Sequence, residues 1–129
     1  MIEFALVFVL FFMLMYAMVA YGLAFAVKHS LVQSANEGAR AAVRDVGGLP
    51  ERIALAKTVT GESLLWLGAR APVPEVTAAA CSGTPYMCVD VRVRYDYKAN
   101  PLVPGLPAMG IVLPDHLEGR AKVQLDAVY

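Results

Sequence analysis

The sequence predicts an α+β protein. One long N-terminal helix crosses a membrane and runs on into a small head, built from a second helix and an antiparallel sheet of about three strands. Three observations predict this. Phe4 to Val27 is a run of 24 residues without a formal charge. Beyond it, apolar residues keep returning at three- and four-residue steps, so the helix does not stop at the membrane edge. After Pro72 and Pro74 the period changes from that of a helix to that of a strand.

The apolar run comes first. At about 1.5 Å per residue it spans roughly 36 Å, enough for a hydrocarbon core of about 30 Å. Burying a helix that is apolar on every side takes a larger body than about 100 remaining residues provide. A cleaved signal peptide is the rival reading, because Ala24-Phe25-Ala26 fits an A-x-A cleavage pattern. The run is longer than a signal peptide's apolar region, however, and no positive segment precedes it. Leu31, Ala35, Ala39, Ala42 and Val46 then continue one apolar face, with Glu37, Arg40, Arg44 and Asp45 elsewhere. No proline interrupts before Pro50, and Gly47-Gly48 is the stop signal. The division is therefore a helix over 1–46, with 4–27 in the membrane and 28–46 amphipathic, and a head over 47–129.

In the head, Pro50 suits the first turn of a second helix and Glu51 its positive end. Ile53, Ala56, Thr60, Leu64 and Leu67 form its apolar face, and Gly68 is its expected end. Trp66 reads as a core or interface anchor. Val76, Ala78 and Ala80 alternate with Glu75, Thr77 and Ala79 as a first strand. In the segment VDVRVRYDY, residues Val89, Val91, Val93, Tyr95 and Tyr97 face one way and the charged residues the other. Ala121, Val123, Leu125, Ala127 and Tyr129 repeat the pattern. Strict alternation means a sheet with one wet face, and the helices must cover the dry one. Charge pairing suggests a register with Asp96 opposite Lys122, Arg92 opposite Asp126, Val93 against Leu125 and Tyr95 against Val123.

Cys81 and Cys88 bracket the turn-forming SGTPYM. A disulfide is preferred over free thiols, and over a metal site, for which only His29 and His116 could join them. A disulfide implies an oxidising compartment and a head outside the cytoplasm. Lys28 and His29 argue the other way by the positive-inside rule, but one lysine is a slight bias. Past the apolar run there are eleven Lys and Arg against ten acids, a formal +1. That balance gives no basic stripe for nucleic acid. The sequence has no P-loop and no G-x-S-x-G elbow, and nothing suggests an enzyme, a cofactor, a metal or a small-molecule substrate.

Two features remain. NPLVPGLPAMGIVLPDHL is apolar yet proline-rich. It reads either as a loop folded over the open end of the core or as a partner surface carrying Leu102, Val103, Leu106, Met109, Ile111, Val112 and Leu113. Glu3 stands at the head of the apolar run. It is either a solvated flank or a carboxylate awaiting a cation, namely the terminal amine of a neighbouring subunit.

Met1-Ile2-Glu3-Phe4-Ala5-Leu6-Val7 and the stretch from Gln33 through Asn36-Glu37-Gly38-Ala39-Arg40 to Ala42 resemble the TadE-like minor pilins, or pseudopilins, of tight adherence (Flp-type) pili. The resemblance implies a bacterial inner-membrane subunit, single-pass, with a periplasmic head, that assists assembly or priming of an adhesive pilus. Glu3 and Phe4 would then serve subunit assembly. Implied partners are the membrane, the major pilin and a second minor pilin, the inner-membrane assembly platform, and a prepilin peptidase acting on a leader upstream of Met1. The family's basic leader and cleavage-site glycine are not among these residues. The alternative is a single-pass anchored periplasmic binding module unrelated to pili.

Overall fold

A computed structural model describes residues 1–44, 47–102 and 113–126. Helix α1 (Ile2–Val43) leads to helix α2 (Leu49–Ser63), a short 3₁₀ segment (Leu65–Arg70), and strands β1 (Glu75–Ala80), β2 (Met87–Tyr95) and β3 (Leu117–Leu125). The strands form one antiparallel sheet in the order β1-β2-β3. Its dry face, with Val76, Val89, Val91, Val93, Tyr95, Leu117 and Leu125, is buried under the two helices. Helix α1 lies across β3 and β2, and α2 meets β1.

The burial of α1 changes halfway along it. From Ile2 to Val19 the large apolar side chains are exposed. From Ala20 onward a stripe made of Ala20, Ala24, Val27, Leu31, Ala35, Gly38 and Ala42 is buried against the head. These positions recur at steps of three and four, the spacing of one helix face. The head therefore covers one face of α1 before the uncharged run ends at Val27. Asp45 and Val46, where the helix was expected to finish, lie outside the described residues.

The stripe uses small residues because the backbones come close. A Cβ on Gly38 would stand 2.0 Å from Thr60 Oγ1 and 3.1 Å from Ala56 O of α2. A Cβ on Gly119 of β3 would stand 2.3 Å from the Leu31 carbonyl carbon and oxygen. At the far end, the buried Arg52 donates from Nη1 to Ala42 O (3.2 Å) and Val43 O (3.3 Å), and from Nε to Gly47 O (3.4 Å). The last carbonyls of a helix have no partner within it, and a cation there also suits the helix dipole.

Three expectations are corrected. The second helix does not run to Gly68: it ends at Ser63, and the chain continues as 3₁₀ turns with Gly68 at φ 59°. In 3₁₀ geometry residues three apart eclipse. Leu64 and Leu67 thus both turn into the core, while Trp66 between them is 57% exposed, which fits the interface alternative and not the core one. The strand ends also move. Strand β2 stops at Tyr95, so the buried Tyr97 lies beyond it, and β3 begins at Leu117, ahead of the alternation that starts at Ala121.

The β2–β3 register is the largest correction. Tyr95 stands opposite Leu117, and Asp90 opposite Lys122, which places the pairing six residues from the expected one. Any even shift leaves the apolar alternation intact, so the pattern alone does not choose. The observed register puts Gly119 where β3 meets the α1 backbone, and it sets Asp90 against Lys122 and Arg94 against Glu118. In this register Arg92 and Arg120 face each other, and each takes an acid diagonally. Arg92 pairs with Glu118 at 3.2 Å, and Arg120 Nε donates to both Asp90 oxygens at 3.0 and 2.9 Å. The Arg120 hydrogen bonds hold the Asp90 carboxyl below its ordinary range.

Candidate assembly surface

The sequence singled out Glu3 and Phe4, the Cys81–Cys88 pair and the proline-rich segment, and the structure sets Glu3 and Phe4 on the part of α1 that the head leaves bare. Glu3 lies in the first turn of α1, exposed, at the end where an acid suits the helix dipole. Seventeen residues separate it from Ala20, where the head begins, or about 25 Å of helix. Phe4 beside it is 76% exposed. The helix is long and apolar enough to cross a membrane, and its most apolar window is entirely uncovered by the head.

A feature missed in the sequence runs along this bare half. Phe4, Phe8 and Phe12 stack in succession, with ring centroids 6.2 and 6.4 Å apart. A step of four places side chains one above another on a helix face, so the ladder was readable from spacing alone.

The stretch from Gln33 to Ala42 divides by face. Ser34, Ala35, Gly38, Ala39, Ala41 and Ala42 are buried against the head, and Ser34 satisfies its hydroxyl by donating to Leu31 O at 2.9 Å. Gln33, Asn36 and Arg40 are exposed and Glu37 half-buried. These four line an open groove between α1 and β3. The small residues thus hold the head to the helix, and the polar ones between them remain free to meet something else.

Cys81 and Cys88 are joined by a disulfide across the β1–β2 connection, with Cα atoms 5.1 Å apart. Cys81 N also donates to Tyr86 O at 2.9 Å, closing the same loop. In the proline-rich segment, Leu102 and Leu113 are half-buried against the core. Val103, Leu106, Met109, Ile111 and Val112 lie outside the described residues. The turn leading into the segment is held by Tyr95, whose buried hydroxyl donates to Asn100 O at 2.7 Å and whose ionisation burial pushes up.

Among the described residues no three His, Cys, Asp or Glu side chains gather as a metal site. The arrangement offers a long apolar surface, one carboxylate at its tip and a braced head, which suits packing against other chains or lipid. No curated protein and no solved structure matches the chain. A family model described as TadE-like protein matches residues 1–40, from the first turn of α1 to Arg40. Over residues 1–40, most of helix α1, the chain is therefore similar to TadE-like proteins.

Proposed function

We propose that the protein is a structural minor pilin, or pseudopilin, of a tight adherence (Flp-type) pilus. It is held in the bacterial inner membrane by the uncharged run of α1, residues 4–27, with its head in the periplasm, and it takes part in assembly or priming of the filament. The observation that carries this reading is the bare half of α1 with Glu3 at its tip, which lies within the family-matched residues. A helix apolar on all sides can exchange lipid for the helices of other subunits at little cost, since both surroundings are apolar. The carboxylate alone resists that exchange. Buried among helices, Glu3 requires a cation, and the terminal amine of an adjoining subunit supplies one and sets the register. Major pilin, a second minor pilin and the inner-membrane platform are the partners, with a prepilin peptidase where a leader precedes Met1. The role is structural and non-catalytic.

The test is Glu3→Gln in the native host. The variant is expected to reach the membrane at the normal level and to leave the cells without pili. Normal pili on those cells would overturn the pairing role. Replacing residues 4–19 by an unrelated apolar helix separates this reading from a plain anchored module, because only a pilin depends on its own helix surface.

A further inference from the structure

The head carries a second apolar surface, away from the tip of α1. The 3₁₀ segment turns Leu64 and Leu67 inward and leaves Leu65 71% and Trp66 57% exposed. The indole is not free to swing. Its Nε1 donates to Ser30 Oγ at 2.9 Å, and that bond fixes its height along α1. Ser30 lies three residues beyond Val27, the last of the uncharged run, or about 4.5 Å by helix rise. The layer between hydrocarbon and bulk water is on the order of 5–7 Å thick on each side of a bilayer. Tryptophan collects in that layer, where one end of the ring is apolar and the other is bonded. Here the polar end is already satisfied by protein, so the exposed remainder of the ring has no need of water.

We propose that Leu65 and Trp66 enter the lipid interface on the head side, so that the head meets the bilayer at a second place besides α1. Three features choose lipid as the occupant. The pair sits at the height where the membrane run ends. Both side chains are apolar and exposed, and the one polar atom of the indole is already bonded to Ser30. Two exposed cations, Lys28 at the end of the run and Arg70 at the end of the 3₁₀ segment, suit the phosphates of the same layer. The proposal rests on α1 spanning a membrane and does not depend on a role in pili.

Trp66 is the one tryptophan in the chain, so tryptophan emission, excited where tyrosine does not absorb, reports on this site alone. The full chain is reconstituted at low density into phosphatidylcholine–phosphatidylglycerol vesicles, with and without bromine on the acyl chains. The expected result is blue-shifted emission that brominated lipid quenches and aqueous acrylamide barely reaches. Leu65→Asp, still floating with the vesicles, is expected to lose most of the quenching by lipid and to gain quenching by acrylamide. Emission that acrylamide quenches freely and bromine leaves untouched would overturn the proposal and assign this face to water or a protein partner. An unchanged signal in Leu65→Asp would overturn the part given to Leu65.

Discussion

The closest approach of the two helices offers a test with a worked magnitude. Gly38→Ala would place a methyl 2.0 Å from Thr60 Oγ1, where contact normally begins beyond 3.4 Å. Thr60 is fully buried and its hydroxyl donates to Ala56 O at 2.7 Å, so it cannot simply turn away. Overpacking of this kind costs about 1–3 kcal/mol, offset in part by the roughly 1 kcal/mol that alanine gains over glycine inside a helix. A net loss of up to about 2 kcal/mol is expected. Thr60→Ala removes the colliding atom and leaves Ala56 O at 3.1 Å as the remaining close contact. The double variant should therefore be more stable than the two single losses added together, by about 1–2 kcal/mol of coupling. Thr60→Val keeps the bulk and should give no rescue. The assay is denaturant unfolding of the detergent-solubilised full chain, followed by near-UV circular dichroism. Strict additivity in the Gly38→Ala/Thr60→Ala cycle, or equal rescue by valine, would refute the contact as the cause.

Other substitutions probe the remaining joints. Gly119→Ala drives a methyl into the Leu31 backbone at 2.3 Å, with no side chain to yield; a loss of about 3 kcal/mol or more is expected, read as a lost cooperative transition in the same assay. Arg52→Met keeps the stem and leaves the carbonyls of Ala42, Val43 and Gly47 without this donor; a loss of about 2–3 kcal/mol is expected, and an unchanged midpoint would count against the brace. Asp90→Asn should lower the melting temperature slightly at neutral pH. Because the Asp90 carboxyl is held below its ordinary 3.8 in the fold, its contribution is present above that value and fades as pH falls through the lower folded one. The gap between wild type and Asp90→Asn should close there, and a gap that widens in acid would contradict the pairing.

Where the chain repeats a simple period, the sequence was informative. The uncharged run marked α1, and alternation marked the wet and dry faces of β2 and β3. The second helix showed its face in Ala56 and Thr60, and Leu64 and Leu67 beyond its end are buried as well. What escaped depends on atoms far apart in the chain. Strand and helix backbones touch at Gly119. Alternation did not reveal the register, because a period of two looks the same after six residues as after none. Arg52, which the sequence did not single out, is buried at a helix end. For Trp66 the sequence left core and interface anchor both open, because bulk and hydrophobicity say nothing about the direction in which a 3₁₀ turn points a side chain. In the candidate assembly surface, Glu3 was conspicuous as the one charge beside a long apolar run, whereas the Phe4–Phe8–Phe12 ladder lay open in its spacing and went unread.

Helix α1 runs without a break from Ile2 to Val43, and this turns a distance in sequence into a compass bearing. Each residue adds about 100° of rotation and 1.5 Å of rise. The seventeen steps from Glu3 to Ala20 thus place the carboxylate about a quarter turn around the axis from the stripe that holds the head. Among the described residues no proline or turn intervenes to absorb a twist. Whatever grips the tip therefore also aims the head, and one residue added between them would swing that aim by about 100° while scarcely altering the length.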